Sequence, residues 1–331
     1  MHTDSTLVKL ILYTVFIMGS INSACARDQI RIVGSSSVYL FSTAVAEHFG
    51  KTTNFKTPVI EANGTGAGIK IFCSGVGPSY PDIVNASRQM TETERQYCND
   101  NGVSDLIEMR IGYDGIVMGT QVKNQPFNLS RAEIYLALTE KILTPQGKWQ
   151  INPYQTWNMI NPTLPAKKIL ILGPSTSLGT REVFEDLVIK QGCLDMNRDI
   201  FSCKLALRED DVFKEVGEHE NVILQKLEIN SDAIGIFSFG FLEQNRNKIR
   251  ALPIEGVLPS FSTIISGRYP ISRPLFFYVK RAHISSIPGL MEYVKAFLSS
   301  QASGPYGYLT NKGLVPLKEK ESKDQLERLF K

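Results

Sequence analysis

Histidine and cysteine are scarce in this chain of 331 residues, with four of the first and five of the second. No close pair such as C-x-x-C occurs and no H-E-x-x-H, so neither a structural zinc site nor a zinc hydrolase is expected. An excess of one charge is also missing. The 36 basic residues nearly balance 33 acidic ones, which argues against a nucleic-acid stripe. The phosphate cradle G-x-x-x-x-G-K-[ST] is absent, and the glycines of Asn63 to Gly68 are spaced G-x-G-x-G rather than G-x-G-x-x-G. No G-x-S-x-G elbow supplies a nucleophile, and the serine-rich loops have no obvious neighbouring base. Long apolar runs are lacking too. Leu10 to Gly19 falls short of the roughly 20 residues that cross a membrane comfortably.

What the chain does have is enough apolar residue, 43%, for a large core, and a length that suggests about two domains. Residues 1–26 read as a signal peptide: Lys9, the apolar run, then Ser20 to Ala26, whose Ala24-Cys25-Ala26 fits an A-x-A cleavage site. An uncleaved anchor and a lipid on Cys25 are the alternatives. Asn22, three residues before Cys25, suits a lipobox poorly. Cleavage after Ala26 leaves Cys73, Cys98, Cys193 and Cys203, an even count that suggests two disulfides. Pairing sequence neighbours gives Cys73–Cys98 and Cys193–Cys203, one of three connectivities.

One unit recurs along the chain. Gln29 to Val33 reads as a strand, Gly34 to Ser37 as a small polar loop, and Val38 to Phe49 as a helix. Thr57 to Glu61, then Asn63 to Gly68, then Ile69 to Ser74 repeat it, and so do Lys168 to Leu172, residues 173–179 and Thr180 to Gly192. This alternation predicts an α/β fold with mostly parallel sheets. Capping boxes at Thr91 and Ser130 open two further helices, the second expected over Arg131 to Ile142. Each of the three Ser/Thr/Gly loops precedes a helix, where free N–H groups and the helix dipole favour an anion. In such folds ligands sit at the carboxyl ends of the strands, where these loops lie.

Several segments carry a resemblance. They are Val33 to Val38, Gly64 to Lys70, Asp82 to Arg88, Gly112 to Ile116, Thr176 to Phe184, Ala233 to Phe237, Tyr269 to Tyr278 and Gly307 to Leu317. Together the chain resembles the periplasmic phosphate-binding proteins of bacterial ABC phosphate transporters, over nearly all of its length after residue 26. The resemblance implies a two-lobed periplasmic-binding-protein fold. Each lobe would be a mostly parallel sheet flanked by helices, and two crossover strands would form the hinge. Residues 27–111 and 273–331 would form one lobe and residues 112–272 the other. It further implies an exported, monomeric, non-enzymatic protein that binds inorganic phosphate in the cleft and hands it to membrane permease subunits. No cofactor and no nucleic-acid partner is expected. Another oxyanion, a phosphate ester, or hydrolysis of such an ester are the competing functions.

Carried over position by position, the resemblance places Ser37 and Val38 in the first phosphate loop and Thr65 and Gly66 in the second. Ser177, Gly179 and Thr180 match the third, where Leu178 interrupts the usual S-G-T. Many relatives carry an aspartate where this chain has Arg88. Arg88 or Arg181 would then present a guanidinium to the oxyanion. With that aspartate replaced, Asp114 is the candidate acceptor for the proton that phosphate keeps and sulfate lacks. A turn or hinge carboxylate is the alternative reading of Asp114. Arg88 has a salt bridge to a nearby acid, such as Asp82 or Glu92, as its alternative.

Overall fold

The computed structural model describes residues 27–144, 146–176, 179–196, 199–216 and 220–329. The expected signal peptide, Cys25 and Ser177 lie outside the described residues. Among the described residues, eleven strands run in chain order: β1 Arg31–Gly34, β2 Val59–Ala62, β3 Ile83–Ala86, β4 Leu106–Gln121, β5 Lys141–Leu143, β6 Trp149–Ile151, β7 Ile171–Gly173, β8 Phe213–Glu215, β9 Ile234–Ser238, β10 Ile249–Ala251 and β11 Ser272–Lys280. All but the β5–β6 hairpin join one sheet, ordered β2-β1-β3-β11-β4-β9-β7-β8, with β10 also on β4. Pairing is parallel within β2-β1-β3 and within β9-β7-β8. It is antiparallel where β11 and β4 pass between these two groups. The chain is therefore an α/β fold with two parallel half-sheets joined by two shared strands.

The apolar cores divide at the same strands. One gathers buried residues from Tyr113 to Ile271 plus Val315 and Leu317, and the others take residues 30–111 and 275–329. At the crossing the β4–β11 register slips between Leu275 and Phe276. Gly112 opposite has φ +151, and a Cβ there would stand 2.7 Å from Leu314 Cδ1 and 2.8 Å from the Val315 carbonyl. Only glycine fits that strand where the chain crosses over.

Helix α1, Ser36–Thr52, buries Val38, Phe41, Val45 and Phe49, the spacing of one helical face. Helix α2, Thr65–Phe72, starts four residues before the sequence reading placed it. Gly66 and Gly68 each weaken a helix by about 1 kcal/mol, which is why the stretch reads as loop. Packing overrides that cost, because a Cβ at Gly68 would lie 2.3 Å from Gly34 Cα. The helix rests backbone on backbone against β1.

Both capping boxes are formed, at Thr91 on α3, Glu92–Asp100, and at Ser130 on α4, Arg131–Leu138. The α4 helix ends before the expected Ile142. Thr139 turns out of it, donates to the carbonyl of Lys204 at 2.9 Å, and leads into the β5–β6 hairpin. A further helical run, 179–194, has a π segment at Glu185–Lys190 in its middle. Disulfides join Cys73 to Cys98 and Cys193 to Cys203.

Candidate functional site

The parallel strands β1, β2 and β3 send their carboxyl ends toward one edge, and each is followed there by a polar loop. Asparagines hold these loops together. Asn63 Oδ1 accepts the Gly34 N–H at 3.2 Å, and the Asn63 and Gly64 N–H groups donate to the Gly34 carbonyl. Asn85 takes the Ser42 hydroxyl at 3.1 Å on its side chain and the Ser35 N–H on its carbonyl. Thr65, buried at the start of α2, lies 3.0 Å from the Ser87 hydroxyl and accepts the Ser87 N–H at 3.1 Å.

Two cavities adjoin at this edge. The larger, about 590 Å³, is lined by Ser36, Ser37, Asp114, Thr180, Glu182 and Lys312, among others. The smaller, about 330 Å³, is lined by Thr65, Gly66, Ser87, Arg88, Asp186 and Arg273, with Glu182 shared between the two. Ser37, Thr65, Gly66, Arg88, Asp114, Thr180 and Arg181 of the sequence reading all line one cavity or the other. Val38 is fully buried beneath Ser37, and Gly179 opens the 179–194 run. Basic and acidic groups balance: Arg88, Arg181, Arg273 and Lys312 stand with Asp114, Glu182, Glu185 and Asp186. An anion held here would rely on N–H and O–H donors more than on net field. A separate groove of about 390 Å³, between Phe239, Phe261, Pro305 and Leu314, lacks such convergent hydroxyls.

The arginines differ sharply. Arg181 is 6% exposed, pairs with Glu185 at 2.7 Å and Glu215 at 2.8 Å, and lies over the Phe213 ring. Its guanidinium is committed to holding its own helix to β8. Arg88 is exposed and forks onto Glu94 with two 2.8 Å bonds, so its acid partner is Glu94 rather than Asp82 or Glu92. Glu94 also closes the α3 capping box.

A profile of the PBP superfamily domain matches residues 20–301. This chain belongs to the PBP superfamily. Among curated members it is 28% identical over 310 residues to Protein SphX of Synechocystis sp., covering 90% of this chain and 82% of that one. It is 29% identical over 304 residues to the phosphate-binding protein PstS of Staphylococcus haemolyticus, covering 90% and 84%. Of solved PBP structures, a possible phosphate binding protein from Planctomyces limnophilus superposes with a TM-score of 0.73 at 23% identity, covering 91% of this chain and 97% of that one.

Within this PBP fold, reasoning from sequence passed over Ser87, Glu182, Asp186 and Arg273. Ser87 and Arg273 lie inside segments that carried the family resemblance, but their direction depends on pairing. Arg273 stands opposite Asp114 in the β4–β11 ladder. Facing pairs of that kind follow from register, which periodicity does not reveal. Asp186 lies in the π segment, where the regular helical period fails.

Burial pushes the Asp114 carboxyl above the usual range. Glu182 adds to the rise, while Arg273 and the Gly115 N–H oppose it. The Arg88 hydrogen bonds act the other way on Glu94, drawing it from 4.5 down to about 2. A depressed carboxyl contributes stability above its unfolded value and loses it as pH falls through the folded one. The thermal midpoint of the native protein should therefore exceed that of Glu94→Gln at neutral pH. The gap should close between pH 4.5 and about 2. A gap that persists unchanged across that window would remove the Arg88–Glu94 pair as its source.

Proposed function

We propose that this protein captures inorganic phosphate between two lobes, residues 27–111 with 273–331 and residues 112–272, and delivers it to the permease of an ABC transporter. One observation carries this reading. The starts of α1, α2 and the 179–194 run border adjoining cavities that also hold the half-buried Asp114. Helix starts supply N–H donors for the oxyanion, and Ser37, Thr65 and Thr180 add hydroxyls. Ser177 and Gly179 complete the third loop in this proposal. Val38 and Gly66 contribute backbone N–H groups. Asp114 accepts the phosphate proton. Arg88 and Arg181 shape the walls through their own carboxylate pairs. Phosphate-binding PstS of Staphylococcus haemolyticus supports the ligand assignment.

The protein in this proposal is an exported monomer whose signal peptide is residues 1–26. It performs no covalent step. Lobe closure about β4 and β11 buries the ligand. Selective ligand binding raises apparent stability by about 2.7 kcal/mol at a hundredfold excess over Kd. Millimolar phosphate should therefore raise the thermal midpoint by several degrees in a chloride buffer of matched ionic strength. No rise with fully stripped protein would count against phosphate as the ligand.

A further inference from the structure

Two of the arginines at the cleft are already occupied. Arg181 serves Glu185, Glu215 and Phe213, and Arg88 is forked onto Glu94. Arg273 is different. Its side chain is 10% exposed and lines the smaller cavity beside Thr65, Gly66 and Ser87. Nη2 donates to the Ser37 hydroxyl at 2.8 Å. Nη1 reaches Asp186 at 3.3 Å, long for a charge-assisted bond, which is usually about 2.7–2.9 Å. Among the described residues, Nε is buried with no partner. Native proteins rarely leave a buried donor unpaired; the Nε atoms of Arg27 and Arg110 are orphaned as well, but of the three only that of Arg273 belongs to a residue lining the cleft. The partner it does have is loose. Asp186 is 43% exposed and is shared with Lys190 at 3.2 Å.

Position strengthens the case. Arg273 sits on β11, a strand that passes between the two cores. Its contacts reach Ser37 at the head of α1 on one side and Asp186 in the 179–194 run on the other. A guanidinium with a free Nε–H next to Nη protons suits the oxygens of a tetrahedral oxyanion.

We propose that Arg273 is the cationic ligand of the bound phosphate, and that Asp186 occupies its guanidinium while the cleft is empty. The proposal rests on the phosphate reading above. When the anion arrives, Nε–H and the Nη2 proton on the same edge turn to its oxygens, and Nη1 is released from Asp186. Asp186 keeps Lys190. Ser37 stays on Nη2 and is held ready for the same ligand. Asp186 is thereby a resident competitor that sets affinity below what the donors alone would give. Arg273 binds charge and does not read protons, so it leaves the preference between phosphate and sulfate to the carboxylate.

A double-mutant cycle in phosphate calorimetry tests this, with circular dichroism as the folding check. Arg273→Ala should weaken phosphate binding about tenfold to a hundredfold, the span of lost charge-assisted bonds. Arg273→Lys should recover part of the loss. Asp186→Asn alone should tighten binding several-fold, where a purely structural Arg273–Asp186 tie would predict weakening. In an Arg273→Ala background the gain from Asp186→Asn should vanish. If the alanine variant does not fold, Arg273→Lys with and without Asp186→Asn carries the same cycle. Repeating it in molar chloride separates direct competition from long-range field, since screening there acts within about 3 Å. Native binding with Arg273→Ala within twofold of it overturns this proposal alone. So does a gain from Asp186→Asn that survives without Arg273. No phosphate heat from the native protein overturns the phosphate reading and this proposal with it.

Discussion

Asp114→Asn should reduce the ratio of phosphate to sulfate affinity about 10- to 100-fold. Phosphate at neutral pH retains a proton and sulfate does not. A carboxylate in the cleft accepts that proton in a hydrogen bond, but meets bare sulfate with charge and no donor. An unmatched buried polar contact costs about 1–3 kcal/mol, and tenfold in affinity is about 1.4 kcal/mol. Asparagine keeps the shape and offers sulfate an N–H donor, so the gap narrows from both ends. The same substitution should stabilise the empty protein at neutral pH. The Asp114 carboxyl is raised by burial, so its ionised form costs folding free energy above its folded value, and that cost is relieved as pH falls through it. Competition calorimetry with the two anions and a thermal midpoint measure both effects. An unchanged anion ratio would move the acceptor role to another group.

Gly68→Val should cost about 3 kcal/mol of folding stability, the upper end for forced overpacking. The added Cβ would stand 2.3 Å from Gly34 Cα and 2.8 Å from Gly34 N. Both obstacles are backbone, so no rotamer change relieves the contact. Gly34 cannot retreat either, because its own Cα side faces the Asn85 carbonyl at 2.2 Å from a notional Cβ. The remaining movement is that of α2 away from β1, which carries Thr65 and Gly66 out of the cleft. Phosphate affinity should fall together with stability. Gly66→Ala is the matched control. Its new Cβ would have Arg88 Nη2 as nearest neighbour at 3.8 Å, an ordinary contact. Urea unfolding of the two variants should separate them clearly. Equal midpoints would mean that the α2–β1 contact is not the constraint described here.

Much of this architecture could be read from local chemistry. The unit of β1, polar loop and α1 announces itself through alternation, small residues, and Val38, Phe41, Val45 and Phe49 on one face. Thr91 and Ser130 show their capping boxes as plain spacing, and the structure forms both legs of each. What was hidden depends on contacts between distant segments. Gly66 and Gly68 argue locally against a helix that tertiary packing imposes. Arg131 begins a helix whose end is fixed by Thr139 bonding to the carbonyl of Lys204, a residue far along the chain. Arg181 reads from sequence as a candidate guanidinium for the oxyanion, and only the fold brings Glu215 and Phe213 to it. Arg273 was legible as part of a conspicuous segment, but its place across from Asp114 needs the β4–β11 register.

The central claim is that the cleft binds inorganic phosphate and rejects sulfate. Calorimetric titration of oxidised protein tests it most directly, after bound anion is stripped by partial unfolding and dialysis. Phosphate and then sulfate would be added at neutral pH. The account predicts one-to-one phosphate binding with no sulfate heat. Folded, stripped protein that binds no phosphate, or that binds sulfate equally well, would contradict it.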